Sequence, residues 1–386
     1  MHDILALNKI STAGLKNLPA DRYAVLNDCE NPDGILVRSF KMHDFETGSN
    51  LLAVARAGAG TNNIPVKQYA EKGVVVFNTP GANANAVKEL VIAGLILSSR
   101  KIIQGAAWVQ AHKSEHDLAQ LVEKEKSEFT GPEIFGKKLG VIGLGAIGAL
   151  VANAAYALGM EVYGFDPFIS VDSAWKLSVG VNKTLSIEAI FSTCDYVSIH
   201  APLTDETKNL FSGESFSLIK PGLRLLNFSR GELIDNATLK KALDDGRIAS
   251  YTTDFPTPEL LTYDNVVAIP HLGASTPESE ENCAAMAAAQ LREYIDFGNI
   301  SNSVNFPDCS RPYTGKKRIC ALHRNVPNVV ASLSKAVADR GVNIDNMTNN
   351  SKGDYAYTML DVDANINDGV ENNLKSIEGV LRTRII

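Results

Sequence analysis

Three side chains between residues 230 and 271 carry the groups that a coupled hydride and proton transfer needs. Arg230 lies in the segment NFSRGE, Glu259 in DFPTPE and His271 in IPHLGAST. An arginine can hold a carboxylate through two parallel hydrogen bonds, and an imidazole titrates near neutral pH and can take a hydroxyl proton. A carboxylate bonded to that imidazole would fix its tautomer and stabilise its protonated form. This combination predicts the oxidation of an alcohol that also carries a carboxylate.

A glycine-rich turn upstream of the triplet predicts a dinucleotide site. The turn GLGAIG follows the apolar run LGVI and precedes an alanine-rich helical pattern. Gly143 permits the tight turn, Gly145 lets the backbone approach a pyrophosphate, and Gly148 allows the helix to pack closely on the strand. The helix N-terminus, with Ala146 and Ile147 in its first turn, would offer N–H groups and a positive dipole end to the phosphates.

Asp166 indicates which dinucleotide binds. It ends the next apolar run, EVYGF, and the residues after it are Pro167, Phe168 and Ile169 rather than an arginine. A carboxylate at this position accepts hydrogen bonds from the ribose hydroxyls and repels a 2′-phosphate. The sequence therefore predicts NAD rather than NADP as the cofactor.

Short apolar runs that alternate with helical patterns predict the elements that position these residues. The runs are ILALN, GILVRSF, LLAVAR and VVVFN, followed by KLGVIG, EVYGFD, DYVSIH, LRLLNF, SYTTDF and VVAIP. Near-continuous apolar strands indicate parallel sheets covered on both faces, so the predicted fold class is α/β with two doubly wound, Rossmann-like domains. Arg230 and His271 both follow such a run, which places them at the carboxyl edge of a sheet, where ligands bind.

Two composition breaks predict the domain organisation. Residues 111–133 are polar and precede the glycine turn, and residues 305–317 combine proline, glycine and basic residues. The last part of the chain shows the order βαββαβ of a ferredoxin-like module. The predicted domains are a substrate-binding domain of residues 1–98 with 283–310, an NAD-binding domain of residues 99–282, and a C-terminal module of residues 316–386.

Composition excludes several other classes of protein. The formal net charge of −7 over 386 residues provides no basic surface for nucleic acid or an anionic membrane. Five scattered cysteines, with no CxxC pair, indicate neither a disulfide framework nor a metal site. The N-terminus lacks a signal-peptide pattern, and the longest apolar run, residues 91–97, is too short to span a bilayer. We therefore expect a cytoplasmic protein.

The motifs GLGAIG, HAPLT, NFSRGE, DFPTPE and PHLGAST, in this order, resemble the D-isomer-specific 2-hydroxyacid dehydrogenase family, and RAGAGTNNI and NTPGANANAVKEL add further signatures. The resemblance implies that Arg230 binds the substrate carboxylate, that His271 is the acid and base, and that Glu259 is its partner. It implies a cofactor site that also includes His200, Ala201, Pro202, Ser229, Asp254 and Gly273. His200 is equally compatible with a core-lining position at a strand end. The implied substrate site comprises Arg56, Ala57, Gly58, Asn78, Arg230 and His271.

The C-terminal module, with its loop HRNVPNVV, resembles an ACT domain, a regulatory fold that binds amino acids between paired copies. The resemblance implies an L-serine site formed by His323, Asn325 and Asn343, and an assembly that is at least a dimer. Asn328 stands where a glycine is usual, so a module that only joins subunits stays an alternative.

The module also bears on the substrate. The resemblance to family members that end in one such short domain implies the oxidation of 3-phospho-D-glycerate to 3-phosphohydroxypyruvate, the first step of L-serine biosynthesis. Arg56 is then the best candidate to bind the substrate phosphate and Arg38 a second one, whereas the alternative for either is a surface or domain-packing arginine. The alternatives are another D-2-hydroxyacid dehydrogenase, such as a glycerate or hydroxypyruvate reductase, and an NAD-sensing interaction protein with little catalysis.

Overall fold

The computed structural model describes residues 1–363 and 368–386. The strands are β1 (His2–Leu7), β2 (Tyr23–Leu26), β3 (Gly34–Val37), β4 (Ala53–Arg56), β5 (Val75–Phe77), β6 (Lys138–Ile142), β7 (Glu161–Phe165), β8 (Asn182–Lys183), β9 (Tyr196–Ile199), β10 (Leu223–Asn227), β11 (Ile248–Thr253), β12 (Val266–Ala268), β13 (Lys317–Arg324), β14 (Ile344–Lys352), β15 (Tyr355–Val362) and β16 (Val380–Ile385). The helices are α1 (Thr12–Leu15), α2 (Val66–Glu71), α3 (Ala84–Ser99), α4 (Ile102–Ala111), α5 (Leu118–Glu125), α6 (Ala146–Ala157), α7 (Val171–Trp175), α8 (Ile187–Thr193), α9 (Gly213–Ser217), α10 (Asn236–Asp244), α11 (Pro277–Phe297), α12 (Val329–Ala338) and α13 (Asp368–Lys375).

Two of the three sheets are parallel, with short strands that are mostly buried on both faces. Every residue of β3, β5 and β9 is buried. Such strands consist of apolar residues because helices cover both faces of a parallel sheet. The strand orders are β2-β1-β3-β4-β5 and β12-β11-β10-β9-β6-β7-β8. Both are doubly wound orders, and the predicted fold class is confirmed.

The chain divides into two compact units, one of residues 1–83 with 276–386 and one of residues 84–275. Helix α3, which the sequence placed in the first domain, belongs to the second unit because Val91 and Leu95 pack in one cluster with Val141. Helix α11 contains the predicted boundary at residue 282, yet it lies wholly in the first unit, where Ala287 and Leu291 join the core. The predicted boundaries therefore move to residues 83 and 275.

The third sheet is antiparallel, with the order β14-β15-β13-β16, as predicted for a ferredoxin-like module. Helices α12 and α13 cover one of its faces, where Ile319 packs with Leu333 and Leu374. The other face contributes Leu322 and Tyr357 to the cluster that includes residues of the first sheet. The residues predicted as a separate domain therefore share a hydrophobic core with the first unit.

Side chains of this module also satisfy the C-terminal carbonyls of α11. Arg384 donates to the carbonyls of Tyr294 and Ile295, at 3.1 and 2.7 Å. Arg318 donates to the carbonyl of Phe297 at 2.8 Å, and the Tyr357 hydroxyl donates to that of Gly298 at 2.7 Å. The last carbonyls of a helix have no partner within the helix, so these contacts fix the end of α11 to the module.

Within the described residues, no single helix combines the length and the hydropathy needed to cross a bilayer. Helices α3 and α4 meet those criteria only when taken together, and they are bent by 70° relative to each other. Seven residues of α3 are buried inside the protein, as is typical of a core helix.

Candidate active site

The glycine turn joins β6 to α6. Gly143 has a φ of +89°, and its amide donates to the carbonyl of Phe165 at 2.8 Å. A Cβ atom on Gly148 would lie 1.9 Å from the carbonyl oxygen of Gly143, so no other residue fits there without a backbone shift. A Cβ on Gly145 would meet open space. The turn therefore leaves room for a ligand beside Gly145 and at the first turn of α6, which contains Ala146 and Ile147.

Asp166 follows β7 and is bonded across this turn. One carboxylate oxygen accepts from the amide of Leu144, and the other accepts from the amide of Phe168, both at 2.8 Å. Each oxygen keeps lone-pair capacity for a further donor such as a ribose hydroxyl. The carboxylate is thus held in place beside the predicted phosphate site.

His200 follows β9, next to the glycine turn. A Cβ on Gly143 would lie 2.7 Å from the backbone carbonyl of His200, so the two backbones touch. The His200 Nε2 atom is 2.9 Å from the Ser198 hydroxyl oxygen, and burial lowers the pKa of His200 to about 4. Its ring is therefore neutral at physiological pH and lines the turn. Ala201 and Pro202 continue along the loop, Ala201 partly buried and Pro202 exposed.

A buried amide fixes the loop that carries Arg230. Asn227, the last residue of β10, donates to the carbonyl of Arg230 at 2.9 Å and accepts from the amide of Ser229 at 3.1 Å. The Ser229 hydroxyl donates to the carbonyl of Ile199 at 2.7 Å, at the end of the neighbouring strand. Sequence reasoning missed Asn227, although a polar residue at the end of the run LRLLN was the signal for it. This anchoring leaves the side chain of Arg230 exposed at the carboxyl edge.

Asp254 is the most unusual group in this unit. It follows β11, is 1% exposed, and neither of its carboxylate oxygens has a hydrogen-bond partner among the described residues. Burial raises the pKa of Asp254, and the charges of His271 and Arg230, together with weak contacts from the amides of Asp254 itself and Gly273, oppose that shift; none of these contacts has the geometry of a full hydrogen bond. A Cβ on Gly273 would lie 3.8 Å from the Asp254 carboxylate. Because buried polar groups are almost always bonded, an orphaned carboxylate indicates that a ligand completes its bonds.

His271 lies three residues after β12 and is exposed. The edge of its ring contacts the Phe255 ring, with centroids 4.9 Å apart and planes at 67°. Phe255 was not singled out from the sequence. Glu259 is exposed, and hydrogen bonds from its own backbone and from the Thr257 side chain lower its pKa. The structure therefore brings Asp254 close to His271 but does not bring Glu259 into a hydrogen bond with it.

The predicted substrate residues of the first unit lie on loops at the carboxyl edge of its sheet. Arg56 Nε donates to the carbonyl of Arg38 at 3.2 Å, which joins the ends of β3 and β4. Gly58 has a φ of +149°, and its amide donates to the Thr79 hydroxyl at 2.7 Å. Ala57 is buried, and Asn78 Nδ2 donates to the carbonyl of Ala59 at 2.6 Å. Three consecutive strand ends thus place two arginines and two polar loops together.

The predicted serine residues lie in the C-terminal module. His323 is 2% exposed, and its ring nitrogens lie 2.8 Å from the carbonyl of Arg324 and 2.9 Å from the Thr358 hydroxyl. Asn325 and Asn343 are on exposed loops. Asn328 has a φ of +70° and so adopts the left-handed backbone that a glycine would adopt. The structure therefore engages His323 within the sheet and leaves the two asparagines accessible.

Comparison with known proteins relates this arrangement to a family. Residues 92–273 match the model of the D-isomer specific 2-hydroxyacid dehydrogenase NAD binding domain. The chain is 33% identical over 355 residues to the D-3-phosphoglycerate dehydrogenase of Haemophilus influenzae, covering 88% of this chain and 82% of that protein. The chain belongs to the D-isomer specific 2-hydroxyacid dehydrogenase family. The D-3-phosphoglycerate dehydrogenase of Escherichia coli K12 is similar at 33% identity, covering 87% of this chain and 82% of that protein.

Solved structures agree with the family assignment. The NAD+-bound 3-phosphoglycerate dehydrogenase of Entamoeba histolytica superposes with a TM-score of 0.61 at 26% identity, covering 79% of this chain and 98% of that chain. As a D-2-hydroxyacid dehydrogenase, this chain is an NAD-dependent oxidoreductase, so the predicted family and cofactor are confirmed. The glycine turn with its open space at Gly145, and the orphaned carboxylate of Asp254, fit that cofactor.

Proposed function

We propose that the chain oxidises 3-phospho-D-glycerate at its C2 hydroxyl to 3-phosphohydroxypyruvate. The observation that carries the proposal is the match, at 33% identity over most of both chains, to D-3-phosphoglycerate dehydrogenases. A chemical reason supports it, because Arg38 follows β3 and Arg56 ends the neighbouring strand β4, at the edge where parallel sheets bind ligands. A substrate with a phosphate and a carboxylate needs such cations in addition to Arg230.

In this proposal, the cofactor lies along the carboxyl edge of the second sheet. Backbone N–H groups at the first turn of α6 would hold its diphosphate, Asp166 would accept from a ribose hydroxyl, and Asp254 would accept from the amide of the nicotinamide end. When bound, NAD supplies the hydride acceptor. Burial of Asp254 makes its hydrogen bond strong, since no water competes for the carboxylate.

His271 and Arg230 perform the remaining chemistry. Arg230 holds the substrate carboxylate with its planar fork and polarises the C2 oxygen as it becomes a carbonyl. His271 takes the C2 hydroxyl proton as the C–H bond breaks, and it returns that proton in the reverse reaction. The negative charge of Asp254 acts on His271 and would stabilise the imidazolium that forms. Glu259 stays the predicted partner of His271, and forming that bond would require its side chain to leave Thr257.

We also propose that L-serine regulates the enzyme through its C-terminal module. Support comes from the ferredoxin-like order of the module and from the accessible Asn325 and Asn343. An amino-acid site shared between copies of the module would make the enzyme at least a dimer.

All five cysteines are free, which suits the reducing cytoplasm that we propose as its location.

Steady-state NADH formation with 3-phosphoglycerate, D-glycerate and D-lactate, each with and without L-serine, tests these proposals. We expect a clear preference for 3-phosphoglycerate and a lower rate in excess serine. Equal kcat/KM values for glycerate and phosphoglycerate would contradict the phosphate assignment, and an unchanged rate in serine would contradict the regulatory one.

The role of His271 has its own test. His271→Ala should reduce kcat by about 10²- to 10⁴-fold, the usual contribution of a general acid or base, while NADH binds nearly as before. Fluorescence titration with NADH provides the second measurement. A large loss of NADH affinity would show that His271 belongs to the cofactor site instead.

A further inference from the structure

One of the two arginines assigned to the substrate phosphate is already paired with a carboxylate. Glu280 Oε1 lies 2.8 Å from Arg38 Nη1, and the two side chains are 41% and 36% exposed. Arg38 directly follows β3, and Glu280 lies in the first turn of α11. The ion pair therefore lies at the same carboxyl edge as Arg56.

The helix dipole alone does not account for this ion pair. An acidic residue in the first turn of a helix is stabilised by the helix dipole, and that suffices to explain Glu278 in the same turn. Glu278 is exposed and forms no ion pair with any residue that the structure describes. Glu280 differs because its charge is directed at a cation of the predicted substrate site.

We propose that Glu280 is a positioning residue that competes with the substrate phosphate for Arg38 and so sets how strongly the enzyme prefers phosphorylated substrates. This inference rests on the proposed function. An arginine binds phosphate best through two parallel N–H donors, and Glu280 occupies Nη1. A bound phosphate would have to displace the Glu280 carboxylate from Arg38 or bind next to its negative charge, which would weaken binding. A substrate without phosphate would not approach Glu280.

Glu280→Gln tests the competition, with Glu278→Gln as a matched control for the charge lost from the same helical turn. The reverse reaction is measured with NADH and either 3-phosphohydroxypyruvate or hydroxypyruvate. We expect Glu280→Gln to lower KM for the phosphorylated acid by about two- to fivefold, the range of an exposed ion pair. We expect kcat, and KM for hydroxypyruvate, to stay the same. If hydroxypyruvate turnover is slow, its competitive inhibition constant replaces KM.

Salt and a double variant separate competition from a change in structure. The difference between Glu280→Gln and the native enzyme should shrink at high ionic strength, because exposed charges are then screened. It should also vanish in an Arg38→Ala background, since the two residues would act as one unit. Equal changes in KM for both acids, or an effect that persists without Arg38, would overturn the proposal.

The failure of this inference is distinguishable from failure of the proposed function. A native enzyme that reduces 3-phosphohydroxypyruvate no better than hydroxypyruvate would overturn the proposed function itself. A native enzyme with the expected preference, combined with an unchanged KM in Glu280→Gln, would overturn only the role of Glu280.

Discussion

The orphaned carboxylate of Asp254 should lower the free energy of unfolding of the free enzyme. It should also strengthen cofactor binding, because the cofactor would supply the missing hydrogen bond. Asp254 is 1% exposed and has no hydrogen-bond partner among the described residues. Leaving a buried polar group unsatisfied costs about 1–3 kcal/mol, and more when it is charged. Asp254→Asn removes the charge and keeps the shape, so it should stabilise the unit of residues 84–275 by about 1–2 kcal/mol. For a unit of this size the melting temperature would rise by about 2–8 °C.

The same substitution should weaken NADH binding. A hydrogen bond to a charged group contributes about 1.5–3 kcal/mol, so the dissociation constant should rise at least about tenfold. Thermal melting without ligand and NADH fluorescence titration measure the two effects. Asp264→Asn, an exposed aspartate in the same unit, controls for the change in net charge and should alter neither quantity.

The stabilisation by Asp254→Asn should also depend on pH. Burial raises the pKa of Asp254 above its unfolded value of about 3.9, so the folded state holds the proton to higher pH. The cost of the buried charge is absent below the unfolded pKa, grows as pH rises from the unfolded to the folded pKa, and is constant above the folded pKa. The difference in melting temperature should therefore widen from acid toward neutral pH. An unchanged or lower melting temperature in Asp254→Asn, with unchanged NADH affinity, would refute the reasoning.

Two further substitutions test the cofactor turn and the C-terminal module. Gly148→Ala places a Cβ 1.9 Å from the Gly143 carbonyl oxygen, and displacing that backbone by overpacking costs about 1–3 kcal/mol. A fluorescence titration should therefore show that NADH binds about tenfold more weakly, or worse. Native affinity would show that the turn adapts to the added methyl group. Arg318→Met removes a fully buried arginine that donates to Asp361 at 2.6 and 3.2 Å. The buried carboxylate would keep only the longer ion pair to Arg311, at 3.9 Å, so the loss should be about 3 kcal/mol in urea unfolding. The double variant with Asp361→Leu should recover most of that loss, and failure to do so would show that the other contacts of Arg318 dominate.

The sequence predicted the sheets and the edge that carries the site, because buried parallel strands leave a strong apolar signal and place their carboxyl ends together. Gly143, Asp166, Arg230 and Asp254 all follow strands of one sheet. The signal is strong where a glycine or a polar residue directly follows the strand, as Gly143, Asp166 and Asp254 do.

Other features depended on contacts that sequence patterns do not contain. An apolar helix face does not reveal which sheet buries it, so the boundaries near α3 and α11 were misplaced. The nearly continuous apolar run of β13 indicates that both of its faces are covered, but it does not show that Cys320 and Leu322 pack with the first sheet. The lack of partners around Asp254, and the pairing of Glu280 with Arg38, likewise follow from three-dimensional positions.

The contacts at the end of α11 give the C-terminal module a structural role, in addition to the regulatory one that we propose for it. A chain shortened before β13 would lose the arginines and the tyrosine that satisfy the last carbonyls of α11. It would also expose the apolar residues that the first sheet shares with Leu322 and Tyr357. In this protein, the module that we propose as regulatory is therefore also part of the core of the first unit, so variants made to test the serine response must spare these structural contacts to leave an intact enzyme.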